Sequence, residues 1–420
     1  MSYKIDQIIA REILDSRGIP TIEVDVVLQN GIYGRASVPS GASTGSHEAI
    51  ERRDSDLRRF HGKGVQNVIT DIQQIIVPAI IGENVENQRR IDEMMCEIDG
   101  TPNKSKLGAN AILAISLATA RANANAKNLP LYATLGSETI LPMPLVNILN
   151  GGAHADNDIS IQEFMIVPTS AGCFSEALRM CSEVFHSLKH LLKKHRHNTN
   201  VGDEGGLAPN LKSSKEVFDF LTMAIEQAGY KAGIDIHFAI DVASSELFDG
   251  TYYRIDGENL YSDEVIEYYK DLIKNYPIIS IEDGLSEDDW DGWIKMTNEL
   301  NVQLVGDDLF VTNQARLLKG IHENAANSIL IKLNQIGTLT ETIDVINLAK
   351  TNSWNTVVSH RSGETEDSFI SDLSVATGSG QIKAGSMSRG ERLAKYNQLI
   401  RIEQTLGPSA KFATMQVFSR

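Results

Sequence analysis

A chain of 420 residues, 42% of them apolar, is long enough for more than one hydrophobic core, so two domains are expected, one of them a barrel taking well over half the length. Its 55 acidic residues against 39 basic ones give a formal charge of −16, which argues against nucleic acid or an anionic membrane as the main partner. No apolar stretch is long enough to span a bilayer, MSYKIDQIIAREILDSRG mixes charges too evenly for a signal peptide, and Cys96, Cys173 and Cys181 form no disulfide framework, so a cytoplasmic enzyme is expected.

Alternation dominates from Tyr3 to about Val38, and TIEVDVVLQNGIYGRASV predicts two strands joined at Asn30-Gly31. The loop VPSGASTG lacks the lysine of a phosphate-binding P-loop. Its glycines predict a flexible lid, from which a serine could reach a metal. Apolar residues recurring at three and four predict helices over 47–59, 65–77, 88–98 and 108–126, which completes an α+β domain. LGSETILPMPLVNILNGGAHADN, with two prolines and a glycine pair, is a poor element and a good junction, so the domains are placed at 1–136 and 137–420.

Beyond the junction strands alternate with helices: EFMIVPT, then 174–194, 217–227, FAIDV, and so on to a helix over 388–403. This implies a parallel sheet with right-handed crossovers. Six apolar stretches each run into an ionisable residue and a turn, at Asp241, Glu282, Asp307, Lys332, His360 and Lys383. An open sheet gathers ligands at one switch point. Polar ends on so many separate strands instead predict a (β/α)₈ barrel of TIM type with its site at one mouth.

Alone, each of Asp241, Glu282 and Asp307 would read as a helix cap or loop ion pair; together they read as an oxygen-ligand set suited to Mg²⁺ rather than Zn²⁺. Asp283 and Asp308 could compete, but period-two alternation sends them to the other side of their strands. Lys332 ends the apolar ILIK, where burial and Lys383 should depress its pKa and make it a base. Its alternative is a structural salt bridge. VGDEGGLAPN puts Asp203 and Glu204 before a glycine pair, in a loop that could push a carboxylate into a site, where a raised pKa would suit a general acid; the alternative is an Asx-type turn. His154 and Glu163 occupy similar loop and strand-start positions. SHRSGETED places His360, Arg361 and Ser362 after a strand, a grouping suited to an anion such as phosphate. His186 and His190 in HSLKHLLKKHRHN lie one turn apart, but no third ligand is apparent and an exposed charged helix face explains them.

These segments resemble the enolases. REILDSRG, VPSGASTG, NKSKLGANAIL, NGGAHADN, IQEFMI, VGDEGG, SIEDGL, VGDDLFVTN, KLNQIGTLTET, VVSHRSGETED and LAKYNQL occur in that family's order from near Arg11 to about Gly407. The resemblance implies an N-terminal α+β domain and a modified barrel whose first strands are not all parallel. It also implies a homodimer and interconversion of 2-phosphoglycerate and phosphoenolpyruvate with two Mg²⁺ ions. By position, Asp241, Glu282 and Asp307 would hold one ion and Ser43 the second. Lys332 would take the C2 proton, and Glu204, with Glu163 and His154, would assist loss of the C3 hydroxyl. Gln162, His360, Arg361, Ser362 and Lys383 would bind the substrate's carboxylate and phosphate. The sequence departs from the family at Ile19, Leu207, Ala384 and Gly390, none a proposed catalytic group. A sister acid-sugar dehydratase or cycloisomerase should lack Arg361-Ser362 and the Glu204 loop, and a non-catalytic relative would be free to lose ligands.

Overall fold

In the computed structural model, which describes residues 3–41 and 45–418, the chain begins with β1 (Ile5–Leu14), β2 (Pro20–Leu28) and β3 (Tyr33–Ser37) as an antiparallel meander. The expected turn at Asn30-Gly31 closes β2 onto β3: Leu28 N–H donates to Ile32 O at 2.8 Å and Gly31 takes a φ of +81° that suits glycine. The sheet is covered by α2 (Ala109–Lys127), which follows α1 (Gln88–Asp99). Alanine on most faces of α2 lets it bury almost all round and approach β3 closely. A Cβ on Gly34 would lie 2.1 Å from the Ala122 nitrogen.

The helix expected over 47–59 is not formed. Its backbone groups bond to distant segments instead: Ala49 N–H to Gln335 O, Ile50 N–H to Asn103 O and Asp54 N–H to Gly64 O, each at 2.8 Å. Ile50 and Leu57 are exposed, so the spacing that mimicked a helix face buries no stripe. The segment expected over 65–77 is helical but passes through a π turn at Ile72–Ile76 and runs on to Ile80.

The barrel closes through β4 (Met143–Asn150), β5 (Glu163–Val167), β6 (His237–Asp241), β7 (Ile278–Glu282), β8 (Gln303–Gly306), β9 (Ser328–Ile331), β10 (Asn355–Ser359) and β11 (Gly380–Lys383). It is not the regular all-parallel barrel that alternation implies. β5 runs antiparallel to both β4 and β6, while the other pairings are parallel, as the family resemblance implies. The β4–β5 connection carries no crossover helix, so β5 returns antiparallel. Two helices, α3 (Phe174–Lys194) and Ser214–Gln227, then bring the chain back to β6. The reversal puts the first residue of β5, Glu163, at the mouth where the other strands end.

The opposite mouth is plugged by the chain's own tail. Ala413 and Phe418 pack on Met143, Leu145, Met165, Val167 and Ala239, and Gln381 Nε2 donates to Val417 O at 3.0 Å. No helix among the described residues is long and apolar enough to cross a membrane.

Candidate active site

Strand register builds the site. Asn150 pairs with Glu163, Glu163 with Asp241, and Asp241 with Glu282, so three carboxylates line up on neighbouring strands at one level. Lys383, ending β11, reaches all three: Nζ lies 2.8 Å from Asp241, 2.7 Å from Glu282 and 3.2 Å from Glu163. Asp307, just past β8, is bonded to Lys332 Nζ and accepts from Gln335 Nε2 at 2.8 Å. Glu163, Asp241, Asp307 and Lys383, all buried, and the part-buried Lys332 line one cleft together with His154, Gln162, Glu204, His360, Arg361 and Ser362, and Glu282 joins it through Lys383. The described residues expected at the site are therefore gathered in one place, although the close-set oxygen donors are Asp283, Asp307 and Asp308 rather than Asp241, Glu282 and Asp307. Ser43 lies outside the described residues.

The charge states depart from expectation in three ways. Burial pushes Lys332 down, yet Asp307 outweighs it and holds the ammonium above its ordinary range, so the expected depression is not seen. Arg361 and Lys383 push Lys332 down, but by less than Asp307 raises it, and Lys383 is itself held well above the usual lysine range by Asp241, Glu163 and Glu282, which overcome burial. The second departure concerns Glu204. Burial raises it, but neighbouring cationic groups outweigh that and hold it well below the usual carboxylate range, whereas burial and the Glu204 charge push Glu163 well above it. His154 Nδ1 stands between them, 3.8 Å from Glu163 and 3.7 Å from Glu204.

His360 settles which neighbours matter to Glu204. Burial, together with Arg392, Lys383 and Lys332, holds the imidazole well below its ordinary range despite Glu204, so it is neutral. Arg392 Nη1 donates to His360 Nδ1 at 2.5 Å, which leaves the His360 proton on Nε2, 3.5 Å from Glu204 Oε2. Asn147 Nδ2 donates to the same oxygen at 3.0 Å. With His360 neutral, the cations left beside Glu204 that favour its charged form are Arg392 and Lys383.

The third departure concerns the aspartates set aside by alternation. Period two ends with the strands at Glu282 and Gly306, and Asp283 takes a left-handed φ of +43°, so Asp283 and Asp308 both turn into the cleft. Asp283 accepts the backbone N–H groups of Asp307 and Asp308 at 2.8 and 2.9 Å and ties the ends of β7 and β8 together. Burial and Asp307 push Asp308 up to about 8, and burial with Asp308 pushes Asp283 well above its usual range. Oxygens of Asp283, Asp307 and Asp308 lie within 4.8 Å of one another. Glu282, too, is held well above the carboxylate range by burial and Asp241. Such crowding of hard oxygen donors, offset by the ammonium groups of Lys332 and Lys383 and the Arg361 guanidinium, fits a divalent cation of the Mg²⁺ type.

Sequence reasoning missed the residues that hold the site in place. Arg392, fully buried, donates to Arg361 O and Ser362 O at 2.6 Å each and clamps the turn after β10. Lys395 does the same for Glu364 and Thr365 O, at 2.7 and 2.6 Å. Two buried cations three residues apart on a helix that otherwise reads as amphipathic were the available signal. Of the departures from the family, Ile19 keeps its turn through backbone alone: its N–H donates to Asp15 Oδ1 at 2.9 Å and its C=O accepts from Asp15 N–H at 2.8 Å.

Residues 5–135 match the enolase N-terminal domain, and residues 138–420 match the enolase C-terminal TIM barrel domain. Enolases carry out a dehydration as hydro-lyases, are generally metal-dependent and act on a small phosphorylated substrate. Matched over nearly its whole length and built on that barrel, this chain belongs to the enolase family.

Proposed function

We propose that the chain catalyses the reversible dehydration of 2-phosphoglycerate to phosphoenolpyruvate, with Mg²⁺ held by Asp241, Glu282 and Asp307 and a second ion by Ser43. The convergence of the Glu163-Asp241-Glu282 row and the Asp307–Lys332 pair on one buried cleft carries this reading. Lys332 removes the C2 proton. A cation held by Asp241, Glu282 and Asp307 would supply positive charge against the second negative charge that builds on the substrate carboxylate. Lys332 is held protonated by Asp307, and with the charge of Asp307 shared it could act as the base.

The C3 hydroxyl leaves as water. Its proton comes from the pair that Glu163 and Glu204 share, with His154 beside both, and the C2–H electrons become the new double bond. Arg361 and Ser362 bind phosphate, with His360 neutral behind them. Gln162, whose Oε1 is buried without a partner, and Lys383 bind the carboxylate end. The division at 136/137, suggested by the proline- and glycine-bearing junction, a cytoplasmic location, suggested by composition, and a homodimer, implied by the family resemblance, complete the reading. The test is the absorbance of phosphoenolpyruvate formed from 2-phosphoglycerate, with and without Mg²⁺. Metal-dependent product is expected; folded protein that makes none would overturn the reading.

A further inference from the structure

Arg361 and Asp307 both line the cleft, and one carboxylate from the N-terminal domain joins them. Glu48 is buried in the irregular 47–59 segment, 8% exposed. Its Oε2 accepts from Arg361 Nη1 at 2.8 Å, and its Oε1 accepts from Gln335 Nε2 at 3.3 Å. The same Gln335 amide nitrogen donates to Asp307 Oδ1 at 2.8 Å, so its two protons bridge two carboxylates.

The amide is not free to flip. Flipped, it would set its oxygen against the oxygens of Glu48 and Asp307, and Thr312 Oγ1, which accepts the Lys332 backbone N–H at 2.9 Å, donates to Gln335 Oε1 at 2.8 Å, closer than its other acceptor, Leu330 O, at 3.4 Å. The order of contacts is Arg361, Glu48, Gln335, Asp307, Lys332, with Thr312 fixing both Gln335 and the base's own backbone. Glu48 N–H also bonds to Gly45 O, and Ala49 N–H to Gln335 O, so the segment is pinned at backbone as well as side chain.

We infer that Glu48 is a positioning residue for the reaction, aiming Arg361 with one carboxylate oxygen and, through Gln335, holding Asp307 with the other. The inference rests on the proposed reading of Arg361 as the phosphate grip and Asp307 as a metal ligand. A buried ion pair that merely fastened the 47–59 segment to the barrel would predict a different response to neutralisation. Removing an anion from beside Arg361 should, by charge alone, strengthen anion binding. A positioning role predicts the reverse, because a guanidinium that has lost its 2.8 Å bond to Glu48, with the same Nη1 left on Asn334 Oδ1 at 3.3 Å, presents its donors to phosphate in a less fixed geometry.

The experiment is calorimetric titration of inorganic phosphate into wild type, Glu48→Gln and Arg361→Met, with KM and kcat for 2-phosphoglycerate measured alongside. Glu48→Gln is expected to weaken phosphate binding by roughly ten- to a hundredfold, the range for misaligned binding groups. It should raise KM more than it lowers kcat. Unchanged or tighter phosphate binding by a folded Glu48→Gln would overturn the inference. Arg361→Met tells the two failures apart: if it binds phosphate like wild type, the reading of Arg361 falls and takes this inference with it. If only Glu48→Gln is without effect, the inference alone falls. Gln335→Leu tests the other arm in protein that needs no phosphate. It is expected to shrink the rise in Tm produced by Mg²⁺ alone and to leave phosphate affinity within about twofold of wild type. Equal loss of both responses in Gln335→Leu would mark general loosening and overturn the relay.

Discussion

Lys383→Met removes the one ammonium that faces Glu163, Asp241 and Glu282 together. At about 2.8 Å and an effective dielectric near 20, each full charge pair is worth roughly 6 kcal/mol before the cost of burying the ions. Most of that offsets desolvation, and deleting one partner of a buried charge cluster costs about 3–5 kcal/mol net. At roughly 2.1 cal/mol/K per residue, a chain of this length unfolds with an entropy near 0.9 kcal/mol/K, so Tm in EDTA should fall by about 3–6 °C. The sign of the pH effect follows. Without Lys383 the buried Glu163 and Glu282, already held above the usual carboxylate range, favour the protonated form further, so the deficit should grow as pH rises above that range. Mg²⁺ should reduce it by supplying charge to the same oxygens. Differential scanning calorimetry in EDTA and in Mg²⁺ reads all three. A variant that unfolds within about 1 °C of wild type in EDTA near pH 8 would refute the claim that Lys383 holds these carboxylates together.

Asp308, pushed up to about 8 from an ordinary 3.8, stays protonated on folding, so the stability it permits is complete below the unfolded value and is lost as pH rises to about 8. Asp308→Asn in EDTA should therefore raise Tm more near pH 8 than near pH 5, and an equal gain at both would contradict the assignment. Phe418→Ala opens the plug at the far mouth of the barrel, where Phe418 packs on Met143, Leu145 and Met165. It should cost about 3 kcal/mol in urea unfolding with little change in KM, and a neutral result would show that the tail only rests on the barrel.

The barrel was legible because a buried parallel strand must be apolar until it ends, and whatever is polar there is aimed at the mouth. Asp241, Glu282, Lys332 and Lys383 were found that way. The reversal of β5 was not: the run IQEFMIV reads alike in both directions, and only the missing crossover helix before it separates the cases. Alternation failed at Asp283 and Asp308 because it stops being a rule one residue past a strand, where Asp283 adopts a left-handed turn. The segment at 47–59 misled because its periodicity is spent on long-range backbone bonds rather than on a buried stripe, and that is how Glu48 went unnoticed. Charge states were the least legible. Whether Lys332 lies above or below its ordinary range depends on Asp307 and Lys383, which are distant in sequence and decided only by the closed barrel.

Proton NMR of 2-phosphoglycerate in D₂O with Mg²⁺, comparing wild type with Lys332→Ala, tests the central claim most directly. Wild type should exchange the C2 proton for deuterium, and Lys332→Ala, although still binding substrate, should leave that signal intact. Exchange at the wild-type rate by the variant would show that another group takes the proton.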